Sequence, residues 1–166
     1  KHISKIVGKE NLWFTNLSQK KDQETLSPYG KIFPQSIKDI KLENACVLDP
    51  ESPTLLTPNN SSQFQYFIFG GILGDNPPRK RTKEELTQFL KKMPAFNIGA
   101  MQMSTDNAVY TVKQIAEGTS FEKIPFKDEI EIEINDIEST ILPYRYALVK
   151  SKPLMSPDLL EYLKNH

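Results

Sequence analysis

Cysteine, histidine and surplus charge are all scarce in this sequence, and each shortage removes a class of function. Cys46 is the only cysteine, so no disulfide can close within the chain, and a cytoplasmic setting is expected in preference to an oxidising one. The two histidines, His2 and His166, stand at opposite ends, which leaves no zinc-ligand spacing and no member for a histidine-based triad; no metal is expected. No run approaches the roughly 18 apolar residues that span a bilayer, and no membrane partner or secretory leader is recognisable. Lys and Arg total 21 against 21 Asp and Glu, so the whole-molecule field does not draw the chain onto a polyanion, and any such contact must be local. Hydrophobic residues make up 38% and charged residues 25%, ordinary values that exclude a disordered or fibrous chain. Its 166 residues fit one domain with a real core, and 1–166 is read as a single domain.

The chain opens on Lys1 without Met and runs directly into Ile3, Ile6 and Val7, spaced like the apolar side of a helix; the expectation is that a first strand and the start of this helix are missing. Gly8 stops the helix, and 12–17 reads as a buried strand. Ser18 to Pro34 reads as a connection, with a short helix near 37–42. Ala45-Cys46-Val47-Leu48 is apolar throughout and ends at Asp49-Pro50, the pattern of a strand buried on both faces at the centre of a sheet. Residues 66–69 repeat it, after the polar turn expected at Asn59-Asn60-Ser61-Ser62. Thr82 with Glu85 has capping-box spacing and predicts a helix carrying Leu86, Phe89 and Leu90 inward as far as Pro94. A short element at 96–98 meets Gly99, and Ala108, Val109, Val112, Ile115 and Ala116 recur at helical spacing up to Gly118. The alternation of strand, glycine turn and helix predicts an α/β fold with a mostly parallel sheet flanked by helices. The tail differs: 129–134 alternates strictly between Glu and Ile, 144–149 is a second strand, and 157–163 a short amphipathic helix.

Only seven glycines are present, and two of them, Gly70 and Gly71, close the apolar run at 66–69. Lacking Cβ, they let a ligand approach the backbone at the carboxyl edge of a parallel sheet, where open α/β folds bind ligands. The run has neither the Lys-Ser/Thr ending of a P-loop nor the Gly-x-Gly-x-x-Gly order of a dinucleotide fingerprint. A second loop leads from strand to helix through Asn97-Ile98-Gly99-Ala100-Met101-Gln102-Met103-Ser104-Thr105-Asp106-Asn107-Ala108.

Phe69-Gly70-Gly71-Ile72-Leu73-Gly74-Asp75, Pro77-Pro78-Arg79, Arg81-Thr82-Lys83 and Gln102-Met103-Ser104-Thr105-Asp106 together resemble the SPOUT methyltransferases. Within that class they are similar to the subfamily formerly called predicted RNA methyltransferases, whose eukaryotic member modifies arginine in the small-subunit ribosomal protein uS3. Val47-Leu48-Asp49-Pro50 and Pro143-Tyr144-Arg145-Tyr146 extend the resemblance over most of the chain. Asn76 departs from it, standing where relatives commonly carry His. The resemblance implies a C-terminal deep trefoil knot, which physical priors alone disfavour, and S-adenosyl-L-methionine as cofactor, gripped largely by backbone groups.

It further implies cofactor contacts at Leu48, Phe69, Gly70, Gly71 and Gly74 and at Asn97, Ile98, Gly99, Met101, Gln102, Met103 and Thr105. Asp75 belongs to the first of these loops. The implied acceptor is an arginine, a cation with a pKa above about 12, so carboxylates must orient it and take the released proton. Asp75, Asp106 and Glu138 are the candidates, Asp106 having helix capping as its alternative role. Arg79-Lys80-Arg81 is the only compact basic cluster, either a solvated loop or a local contact to ribosomal RNA. The activity so implied is that of a protein arginine N-methyltransferase acting on a uS3-like protein as a monomer, the alternative being a SPOUT RNA methyltransferase acting on rRNA or tRNA.

Overall fold

A computed structural model of the chain describes residues 1–70, 81–134 and 138–165, with Arg81, Lys164 and Asn165 described by backbone alone. At its centre are three parallel strands, β3 (Ala45–Leu48), β4 (Tyr66–Ile68) and β5 (Ala95–Phe96), in the order β4-β3-β5. Ala45 faces Tyr66 and Val47 faces Ile68 on one side of β3, while Leu48 faces Phe96 on the other. All four residues of β3 are buried, which is what an apolar run with no polar alternation requires of a central strand.

The period of two divides β3 between two cores. Cys46 and Leu48 point to one side, packing with Leu56, Phe96, Val112, Ile115, Ile124 and Ala147 under helix α5 (Thr105–Ala116). Ala45 and Val47 point to the other, with Ile68, Leu86 and Leu90. Burying a side chain such as Ile115 or Leu56 completely is worth about 1.5–3 kcal/mol relative to leaving it exposed, so the two clusters hold the sheet between their layers.

Around this centre lie α1 (His2–Val7), which Gly8 ends at φ 82°, and the short strands β1 (Trp13–Phe14) and β2 (Lys31–Ile32), paired in parallel with helix α2 (Lys20–Leu26) between them. The strand expected over 12–17 is thus only two residues long and half-buried. Asn16, at φ 63°, turns the chain away immediately after it. The polar stretch expected to be a bare connection carries a helix, because Lys20, Lys21 and Glu24 are helix formers facing solvent and the Gln23 amide donates to the Leu17 carbonyl at 2.7 Å. The turn at Asn59-Asn60 is one helical turn, α3 (Pro58–Ser61), closed by a capping box between Thr57 and Asn60.

Helix α4 (Arg81–Glu85) includes Thr82 instead of starting after it, and passes at once into a 3-10 turn over Thr87–Phe89. The shorter helix buries Leu86 and Leu90 but leaves Phe89 54% exposed, with the Lys38 ammonium 3.6 Å from its ring centroid. Arg81 and Thr82 thus already lie within the helix, which ends at Glu85 and falls short of the expected reach to Pro94.

The tail forms an antiparallel sheet of β6 (Phe126–Glu133), β7 (Ser139–Val149) and β8 (Lys152–Pro153), followed by α6 (Pro157–Asn165). Ile130 and Ile132 turn inward to Tyr146 while Glu129, Glu131 and Glu133 face solvent, as the alternation demands. A bulge between Asp128 and Ile130 places Glu129 at φ 59°.

One buried amide fastens this tail to the centre. Asn107, fully inaccessible in the first turn of α5, accepts the Ala147 N–H at 2.8 Å and donates to the Leu154 carbonyl at 3.0 Å. Neither Leu nor Asp can make both bonds, since one has no polar atoms and the other no donor when ionised. Asn107→Ala is therefore expected to lower stability by about 2–4 kcal/mol, because it leaves buried backbone groups unpaired. Urea denaturation followed by circular dichroism checks this, and Asn107→Asp is expected to be at least as damaging. Burial also pushes the Cys46 thiol up to about 12, so a thiol reagent at mildly alkaline pH is expected to react only as fast as the chain unfolds.

Candidate cofactor site

Parallel register brings three loops to one edge. Leu48, Phe69 and Phe96 stand level at the carboxyl ends of β3, β4 and β5, followed by Asp49, Gly70 and Asn97. Brackets of this kind, where a sheet order reverses about its first strand, are where α/β folds bind ligands. Gly71, Gly74, Asp75, Arg79 and Lys80 lie outside the described residues, as does the Arg81 side chain.

Two of the loops are sewn together by the Asn97 side chain. Its Nδ2 donates to the Ser52 carbonyl at 2.8 Å, its Oδ1 accepts the Gly99 N–H at 3.0 Å, and its backbone pairs with Thr54 and Leu56 at 2.8 Å each. Asn97 is thus occupied with loop architecture through both ends of its amide. Asp49, buried and accepting the Glu51 N–H, and Ser52, donating to the Ala95 carbonyl at 2.6 Å, complete the seam. Sequence alone reads Asp49-Pro50 as the stop of a strand and as part of the family pattern; the seam it closes had its signal in Asx-turn chemistry.

Gly99 follows at φ 92°, a region that L side chains rarely occupy. A Cβ there would come within 2.6 Å of the Phe121 ring, which packs on Phe126 at a centroid distance of 5.3 Å. Both the backbone angle and the aromatic neighbour demand glycine. Beyond it, Met101 is 48% exposed, while the Met103 sulfur receives the Thr111 hydroxyl at 3.7 Å and is turned toward α5.

Strand β7 braces the same loop from the tail side. The Arg145 N–H donates to the Gln102 carbonyl at 2.8 Å, and Met103 bridges Arg145 in parallel. The Arg145 guanidinium is held in a fork by Asp128 at 2.5 and 2.7 Å, over the Phe126 ring. That hydrogen bond holds the Asp128 carboxyl below the usual carboxylate range.

At the end of the loop Ser104 and Thr105 open α5. The Ser104 hydroxyl accepts from Asn107 Nδ2 at 2.9 Å and donates to Asp106 Oδ1 at 2.5 Å, and Asp106 Oδ1 also accepts the Asn107 N–H at 3.0 Å. The capping alternative for Asp106 is therefore realised in geometry. Its other oxygen faces His2 Nδ1 at 2.8 Å, so the histidine that sequence position had set aside lies against a candidate carboxylate. Beside them Tyr146 is pushed up to about 12, by burial first and by the Asp106 charge second. Glu138 is not brought to this edge: it sits at the tip of the β6–β7 hairpin, its carbonyl accepting the Ile134 N–H, roughly 20 Å along the strand from Arg145.

Main-chain groups thus dominate the edge. Peptide carbonyls and amides of the loop over 98–104, with few charged side chains among them, fit a polar, zwitterionic ligand with an apolar-edged base. Among the described residues no group of three His, Cys, Asp or Glu gathers to hold a metal ion, and no helix is long and apolar enough to cross a membrane. A groove of about 1160 Å³ runs beside β4 between α1, β1 and α5 and reaches the expected cofactor positions Phe69, Gly70 and Thr105. Gly99→Ala is expected to destabilise the protein by about 1–3 kcal/mol through its backbone angle and the ring contact; in a double-mutant cycle followed by thermal melting, Phe121→Leu is expected to recover the ring-contact part.

The chain matches, over residues 1–166, the family model described as protein arginine N-methyltransferase SFM1-like. The protein arginine N-methyltransferase SFM1 of Saccharomyces cerevisiae is 36% identical, the alignment covering 98% of this chain and 84% of the yeast protein. The crystal structure of the yeast arginine methyltransferase SFM1 complexed with SAM superposes with a TM-score of 0.87 at 35% identity, covering 99% of this chain and 81% of that one. The complex with SAH gives 0.88 at 35% identity, covering 98% and 85%. The cofactor is accordingly S-adenosylmethionine, and the chain belongs to the SFM1-like family of protein arginine N-methyltransferases.

Proposed function

We propose that this enzyme transfers a methyl group from S-adenosylmethionine to an arginine of a small-subunit ribosomal protein of the uS3 kind, as a monomer in the cytoplasm. The observation that carries the reading is the family match along the whole chain, met by an edge built from main-chain groups where the sheet order reverses. When bound, the cofactor supplies an activated methyl group on a sulfonium. The chain's own task is to align it with a guanidinium nitrogen at about 3–3.5 Å and to exclude competing water.

The acceptor reaches the site as a cation, so a carboxylate must orient it and receive its proton. Asp106 has both oxygens engaged, by Ser104 and Asn107 on one side and His2 on the other. In this reading it shapes the loop, and Asp75 in the glycine loop is the carboxylate left for the acceptor. The return of the tail onto the second loop, at Arg145 with Gln102 and at Asn107 with Ala147, supports a trefoil-knotted C-terminal half. The sheet and α6 that follow cover a face against which a second copy would otherwise pack. With a net charge of zero, any contact of Arg79, Lys80 and Arg81 to ribosomal RNA is local to the substrate's surroundings.

Intact-mass analysis of ribosomal proteins from cells with and without the gene is expected to show loss of one methyl group on uS3 alone. Label from the methyl-labelled cofactor appearing in stripped ribosomal RNA and in no protein would overturn the proposal.

A further inference from the structure

The contact between α1 and the first turn of α5 joins residues 104 positions apart through two side chains that are 17% and 18% exposed. His2 Nδ1 lies 2.8 Å from Asp106 Oδ2. A lone pair on that nitrogen would repel the carboxylate, so the geometry assigns the ring proton to Nδ1. The other oxygen of the same carboxylate takes the Ser104 hydroxyl and the Asn107 N–H. Ser104 in turn accepts from Asn107, whose amide reaches Leu154 and Ala147. Hydrogen bonds therefore run without a break from α1 through the end of the second loop to the tail strand.

The Asp106 carboxylate is free to turn about its two side-chain torsions once a partner is lost. Ser104 depends on their setting, because its hydroxyl donates to Asp106 Oδ1. Ser104 is also the last residue of the loop, with Met103 and Gln102 directly before it and Thr105 after it.

We infer that His2 is a positioning residue for the cofactor loop: by holding Asp106 Oδ2 it fixes the carboxylate that holds Ser104, and so sets the backbone from Gln102 to Thr105 for the donor. The inference rests on the reading that this loop carries the cofactor. His2 touches neither donor nor acceptor in this role, so its loss should weaken cofactor binding while sparing the methyl transfer itself. A purely structural role, gluing α1 to α5, would lower stability and leave the affinity of the folded protein unchanged.

Three proteins separate these outcomes: wild type, His2→Phe, which keeps the ring volume without the donor, and His2→Asn, whose amide nitrogen reaches the place of Nδ1. Calorimetric titration with S-adenosylhomocysteine is expected to show about a five- to tenfold weaker Kd for His2→Phe, the scale of one hydrogen bond to a charged group. The KM for S-adenosylmethionine should rise in parallel with that Kd, kcat staying within about twofold of wild type, and His2→Asn should recover most of the affinity. Unchanged affinity in His2→Phe, equal loss in both variants, or a loss confined to kcat would each overturn the positioning role. The loop reading is tested separately in the wild type: S-adenosylhomocysteine must shift the amide resonances of Ile98, Gln102 and Thr105. If it does not, that reading falls and the inference with it; if it does while His2→Phe binds normally, the inference alone falls.

Discussion

Much of this molecule depends on one inaccessible carboxamide. Asn107 sits where the helix after β5 begins, and its two ends satisfy a strand amide and a loop carbonyl from the tail, 40 and 47 residues further on. Hydrogen bonds of this sort are modest in net energy but costly to leave half-made in a low-dielectric interior. The consequence is geometric: the loop that precedes α5 and the strand that braces it are placed with respect to each other by a group admitting one arrangement.

Around that constraint the candidate cofactor edge is assembled with little help from charged side chains. Asn97 ties two loops through three bonds and its own turn through a fourth, Gly99 holds a turn that no other residue can hold against Phe121, and Arg145 contributes its N–H to the loop while Asp128 takes its guanidinium. Preorganised main-chain dipoles of this kind need no reorganisation when a ligand arrives.

The sequence was most legible where a single physical rule dominates. The four apolar residues of β3 had to be buried on both faces, the spacing from Ala108 to Ala116 had to be a helix with one face on the core, and the Glu/Ile alternation of β6 had to have one wet face. It was least legible where tertiary contacts override local preference. Thr82 carries the capping pattern yet lies inside its helix, and Phe89 obeys the helical spacing yet stays outside, because the helix ends after a single turn and a 3-10 segment rotates the chain. At the site, glycine turns announced the edge and its second loop. The partners that hold the loop did not announce themselves: His2 and Asp106 are neighbours only after α1 packs on α5, and no local pattern encodes that meeting.

The hydrogen-bonded chain from His2 through Ser104 and Asn107 to Leu154 has a temporal side. Its members lie far apart in sequence, from residue 2 to residue 154, and contacts of such long separation form late because loop closure must precede them. During synthesis the second loop emerges well before Ala147 and Leu154 do. The candidate cofactor edge is therefore braced only after residues 147 and 154 have been made, long after the central strands β3, β4 and β5 that carry it.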